Sequence, residues 1–216
     1  MDFSVSKLCQ DSHECARDKG WLETPRSSSD IMNLFVSEIS EALEDYRANR
    51  GIKEIFYEVK FKEEDGKIVK EIVSRDNIDA ARAVEGKYGR GRSFLEAKPC
   101  GIPIEIADFV IRLGEYCGTN KLNLEFWFLE SAKFLMRLER DGGFPKGMDE
   151  FLGGLTVLTA KSMQHPEKVL DVEYLGQALG LAFMYCTRAD IPLKAAIEEK
   201  HAFNLTRSHR HGGKKI

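Results

Sequence analysis

Four acidic side chains stand at a repeated spacing in two stretches of this chain. Glu38 and Glu41 are three apart in Ser37-Glu38-Ile39-Ser40-Glu41-Ala42-Leu43, and Glu105 and Asp108 are three apart in Ile104-Glu105-Ile106-Ala107-Asp108. Residues three apart on an α-helix point about 60° from one another, so each pair projects from one side. Both pairs lie beside an apolar stripe rather than opposite it. Two helices packed by those stripes would bring four carboxylates into one space, and four close carboxylates cannot all stay ionised without a counter-charge. A hard divalent cation answers that need, and Mg²⁺ takes oxygen ligands while keeping some of its waters. The plainer reading of any single Glu-x-x-Glu is a solvated helix face. A second pair placed the same way favours the cation site.

The element that must carry the first pair is a helix over 29–49. Ser28, Ser29 and Asp30 are good N-cap types, Gly51 is a natural stop, and Ile31, Leu34, Phe35, Ile39, Ala42 and Tyr46 mark its buried face. The second pair rides on a helix beginning near Pro103, with Val110 and Ile111 continuing the stripe. Ahead of both, residues 5–18 read as a short helix that turns Val5, Leu8, Cys9, Cys15 and Ala16 inward. Trp21 follows Gly20 and reads either as a core plug or as a platform for stacking a base. Four more helical stretches follow, at 123–140, 147–163, 172–187 and 191–204, broken by Gly142-Gly143, Pro145, Pro166 and Pro192.

Between the carboxylate helices the pattern changes. Ile55, Tyr57, Val59 and Phe61 alternate with polar residues, and Asp65-Gly66 then marks a hairpin over 52–73. Residues 74–101 are polar and read as irregular. Within them Gly86-Lys87-Tyr88-Gly89-Arg90-Gly91-Arg92 is either a flexible connection or a mobile phosphate clamp. It lacks the Gly-Lys-Ser/Thr ending of a phosphate-binding loop.

The 216 residues suffice for one sizeable core, and 43% hydrophobic with 31% charged residues is ordinary for a globular protein. A net charge of −3 gives no electrostatic case for nucleic acid or a membrane surface. The first residues lack a basic start followed by an apolar run, so no secretory signal is expected. Cys9, Cys15, Cys100, Cys117 and Cys186 are odd in number, scattered and free of Cys-x-x-Cys. That usage suits reduced thiols and a cytoplasmic location.

The chain also echoes itself. A shift of 69 positions lays Tyr116-Cys117 on Tyr185-Cys186, with Tyr174 and Gln177 where Glu105 and Asp108 stood. A shift of 119 lays Asp30 on Asp149 and turns Glu38 and Glu41 into Val157 and Ala160. The expected organisation is a single all-α domain over 1–216, an antiparallel helical bundle with an inserted β-hairpin. A first unit over 1–135 would carry the acids and include the insertion 52–101. A degenerate second repeat would occupy 145–216 with a basic tail. In that tail Lys200, Asn204 and Arg207 stand at helical steps of four and three and offer donors of the kind that hold phosphate oxygens.

Taken together, these pieces resemble the MazG-like branch of the all-α nucleoside triphosphate pyrophosphohydrolases. The resemblance rests on Ser37-Glu38-x-x-Glu41-Ala42-Leu43, on Gly101-Ile102-Pro103-Ile104-Glu105-x-Ala107-Asp108, and on Glu199-Lys200-His201-x-x-Asn204-x-x-Arg207 continuing to Arg210-His211-Gly212-Gly213-Lys214. His13-Glu14-x-Ala16-x-x-Lys19-Gly20-Trp21 is similar to the family's opening helix. The resemblance implies hydrolysis of a nucleoside triphosphate to the monophosphate and pyrophosphate. It implies Mg²⁺, with Mn²⁺ as a substitute, on Glu38, Glu41, Glu105 and Asp108, and phosphate contacts from Lys200, Asn204 and Arg207. Glu41, with Glu38, is the candidate general base, and Trp21 and His13 are candidates for base recognition. Family members usually associate, so a homodimer or a pseudo-dimeric monomer is expected. Ser37 replaces the first Glu of the family's doublet, and residues 52–101 and 118–190 lengthen the gaps between motifs. Three rivals stand beside this reading: a non-catalytic nucleotide-binding or regulatory protein, a plain helical scaffold, and a di-iron bundle. The last needs two Glu-x-x-His motifs, and only Glu198-x-x-His201 fits.

Overall fold

The computed structural model describes residues 4–164 and 168–209. Pro166 and the segment Arg210–Lys214 therefore lie outside the described residues. The described chain forms α1 (Val5–Asp18), α2 (Ser28–Arg47), β1 (Phe56–Glu63), β2 (Ile68–Ser74), α3 (Ile78–Arg82) and β3 (Arg92–Cys100). It continues with α4 (Ile102–Thr119), α5 (Leu124–Arg140), α6 (Met148–Ser162), α7 (Val172–Arg188) and α8 (Leu193–Thr206). None of these helices is long and apolar enough to cross a membrane.

The long helix α2 starts from a capping box. Ser27 accepts from the Asp30 backbone N–H, and the Asp30 carboxylate accepts from that of Ser27. Its end comes earlier than Gly51 suggested, because Asn49 supplies the left-handed residue at φ 58°. Helix α4 is apolar on nearly every side and is buried along almost its whole length, as befits a central helix. Gly101 sets where it begins. At φ 111° a side chain there is strained, and a Cβ would lie 2.3 Å from the Glu54 carbonyl oxygen.

The all-α expectation is wrong. Residues 56–100 build a three-stranded antiparallel sheet in the order β2-β1-β3, so the fold is mixed. The segment expected to be irregular contains β3, which pairs with β1 from Phe56↔Cys100 to Glu63↔Arg92, with an irregularity at Lys60/Phe61. The reason lies in β1. Phe56, Tyr57, Val59 and Phe61 are all buried, so β1 is a central strand. A hairpin alone would leave one edge of it, with its N–H and C=O groups, unpaired. Arg92, from the Gly/basic loop, is used on the sheet, where it pairs with Glu63 and Glu71. The sheet is also fastened to α8, because Tyr57 donates to Glu199 at 2.6 Å and Arg75 pairs with the same carboxylate.

Two trios of helices make up the rest. Helix α4 packs against α1 and α2, and α7 packs against α5 and α6. Across the join α1 meets α5, α2 meets α6, and α4 meets α7. Helix α5, drawn into the first unit on sequence, makes its main contact with α7. There Gly176 lets the Trp127 backbone come within 2.6 Å of where a Cβ would sit. Helix α8 lies chiefly on α4, next to the end of β3.

Candidate metal and phosphate site

Packing of α2 on α4 brings three of the four acids together. Glu38, Glu41 and Glu105 each offer a carboxylate oxygen, and those atoms lie within 4.8 Å of one another. Glu38 and Glu105 are only 4% exposed, whereas Glu41 is exposed and is reached by the Ser37 hydroxyl at 3.4 Å. The cluster therefore has two buried members and one open lip. Glu105 Oε2 is buried and has no hydrogen-bond partner among the described residues. A buried carboxylate oxygen left alone is costly, which marks a place for a ligand.

Asp108 is on the same face but is engaged elsewhere. Its Oδ2 lies 2.9 Å from Lys200 Nζ, and Lys200 is buried to 2% exposure. Lys200 was expected to contact phosphate; in the structure it is the buried partner of Asp108. Asn204, one turn further on α8, is also buried, and its Oδ1 has no hydrogen-bond partner among the described residues. Arg207, at the C-cap of α8, makes no ion pair among the described residues. It rests 5.7 Å from the Phe203 ring centroid, and its charge acts on Asp108 and Glu38.

Of the two remaining expectations, His13 is held away from the carboxylates. His13 Nδ1 meets Thr119 Oγ1 at 3.0 Å, and Thr119 lies roughly 16 Å along α4 from Asp108 at 1.5 Å per residue. Trp21 is buried at the corner after α1, where its backbone N–H closes on Ala16.

Sequence reasoning missed Arg112 and Lys98. Arg112 donates from Nε to Glu38 Oε1 at 2.5 Å. Its signal is its place four residues after Asp108, which continues the acidic stripe of α4 with a cation. Lys98, half-buried on β3, acts on Glu105 from the sheet side.

Charge balance follows from these contacts. Burial, together with Asp108, pushes the Glu38 carboxyl up to about 7, against the pull of Arg112. Burial also raises Glu105 to about 7, although Lys200 acts in the opposite sense. Burial works on Asp108 as well, but Lys200 and Arg112 outweigh it and hold that carboxyl below its ordinary value. So one acid is ionised by an internal partner, while two are short of positive charge. Three hard oxygen donors with an open side fit a cation such as Mg²⁺ or Mn²⁺ that retains water. Comparison of the chain with protein-family models, with curated proteins and with solved structures finds no match in any of the three.

Proposed function

We propose that this protein hydrolyses a nucleoside triphosphate to the monophosphate and pyrophosphate, as the MazG-like pyrophosphohydrolases do, with a divalent cation held by Glu38, Glu41 and Glu105. The observation that carries the reading is the convergence of those three carboxylates, with Glu105 Oε2 buried and without a hydrogen-bond partner among the described residues. A cation bound there orients phosphate oxygens and lowers the pKa of a bound water. The rest falls to side chains of this chain. Glu41, at the open lip, accepts the proton of the attacking water. Arg207, which has no ion pair of its own among the described residues, meets the negative charge of the phosphates. Lys200 neutralises Asp108, so that this acid does not repel the substrate. Water adds to phosphorus, and the bond between the α- and β-phosphoryl groups breaks. Pyrophosphate leaves, and the proton taken by Glu41 passes to solvent.

The test is a panel of ribo- and deoxyribonucleoside triphosphates incubated with Mg²⁺, followed by chromatography and a pyrophosphate assay. The expected result is equal release of monophosphate and pyrophosphate from at least one of them. Absence of release from every nucleotide, with no binding of Mg²⁺ or Mn²⁺, overturns the proposal.

A further inference from the structure

The charged stripe on α4 does not end at the carboxylates. Asp108 is followed four residues on by Arg112 and then, three residues later, by Glu115, so all three share one face of the helix. Glu115 is 4% exposed and pairs with Arg26, in the loop that leads into α2. Arg112 crosses to α2, where its Nε meets Glu38 Oε1 at 2.5 Å. Read from one end, the charges alternate: Arg26, Glu115, Arg112, Glu38. The side chains of Arg26, Glu115 and Glu38 are each less than a tenth exposed, and that of Arg112 is 18% exposed. Side chains shielded in this way do not swing to find other partners. Arg26 pairs with Glu115 and Arg112 with Glu38, and Glu115 acts on Arg112 through its charge.

For Glu38 this has a direct effect. Its Oε1 is taken by Arg112, and one carboxylate oxygen of Glu38 lies within 4.8 Å of those offered by Glu41 and Glu105. A planar guanidinium bonded through Nε fixes the plane of a carboxylate as well as its charge, which an ammonium does not do. Groups that hydrogen-bond a metal-ligating carboxylate orient it, and losing one typically costs 10–100-fold in metal affinity.

We propose that Arg112 is the positioning residue of the cation site, holding the Glu38 carboxylate so that it is presented beside Glu41 and Glu105. The inference rests on the reading of the three carboxylates as a cation site. Arg112 itself touches neither the cation nor the substrate.

The experiment is Mn²⁺ titration of the full chain, followed by electron paramagnetic resonance, on the wild type, Arg112→Met and Arg112→Lys. Circular dichroism and thermal melting report whether each is folded. The folded Arg112→Met protein is expected to bind Mn²⁺ about 10–100-fold more weakly than wild type. Arg112→Lys keeps the charge but not the Nε–Oε1 bond, so it is expected to melt near the wild type and recover only part of the affinity. Turnover should fall in the same order, Arg112→Met below Arg112→Lys below wild type, with the nucleotide KM unchanged at saturating Mn²⁺. Wild-type Mn²⁺ affinity in a folded Arg112→Met overturns the role. Should that variant not fold, wild-type affinity in Arg112→Lys overturns it equally. If the wild type itself binds no Mn²⁺, the cation site has failed, and this role fails with it.

Discussion

In the trio of α1, α2 and α4, with α8 against it, the buried polar side chains include Glu38, Glu105, Asp108, Glu115, Lys200 and Asn204. In the trio of α5, α6 and α7 the described ones are Ser131, Thr159 and Ser162. The difference lies in where their partners are. Ser131 donates to the Phe128 carbonyl and Ser162 to that of Thr159, so these hydroxyls are satisfied within their own helices. The buried charges of the first trio reach across to another helix: Arg112 to Glu38, and Lys200 to Asp108. The second trio is therefore held by apolar packing, such as Phe151 stacked on Tyr185 at 4.1 Å between ring centroids. In the first, the contacts that join the helices are the same contacts that shape the site. Function and stability are separable in one half and entangled in the other.

The sharpest way to break this comparison is through turnover. Glu41→Gln, which removes the proposed general base, is expected to lower kcat roughly 10²–10⁴-fold. Gln177→Ala, at the position that echoes Asp108, is expected to leave kcat unchanged. Comparable losses from Gln177→Ala would show that the second trio also takes part in chemistry.

Stability gives the next largest effect. Lys200→Met strands the Asp108 carboxylate in the interior and is expected to cost about 3–5 kcal/mol in urea unfolding. Adding Asp108→Asn should restore a good part of that loss, because the two side chains share one interaction. Leu155→Ala, deep in the second trio at 1% exposure, is expected to cost about 2–5 kcal/mol with kcat per folded molecule unchanged. Strict additivity of the first pair, or a fall in kcat for Leu155→Ala, would erase the distinction drawn between the halves.

The smallest effect is a pH dependence. Glu38 and Glu105 titrate near 7 in the fold and near 4.5 when unfolded. Between those values the folded state binds more protons, so stability is full below about 4.5 and declines as pH rises through about 7. With a chelator present, the melting temperature is expected to be lower at pH 8 than at pH 5. Mg²⁺ or Mn²⁺ should restore it at pH 8 and do little at pH 5, where protons occupy the carboxylates. A melting temperature that is flat with pH and indifferent to either ion would contradict the balance of charges described.

How far the sequence discloses all this depends on the range of the interaction. The helices follow from local periodicity, and the stretch expected at 29–49 is observed at Ser28–Arg47. The nearness of Glu38, Glu41 and Glu105 follows from two stripes with acids on the same flank. Strand β3 was not legible, because adjacent Phe94 and Leu95 break the alternation and Pro99 argues against a strand, so the segment becomes one only when β1 offers it an edge. The pairing of Lys200 with Asp108 was hidden for a related reason. Spacing within α8 places Lys200 on a face, but burial of that face on α4 decides whether it meets a phosphate or a carboxylate. Arg112 stands between Ile111 and Leu113, and nothing in its local spacing names Glu38 on another helix as its partner.

The fastening of Tyr57 and Arg75 to Glu199 makes the sheet a brace for the tail helix, anchored one residue before the lysine that balances Asp108. Excising 52–101 to obtain a minimal helical protein would slacken that helix and unseat Lys200, with no acid of the cluster altered.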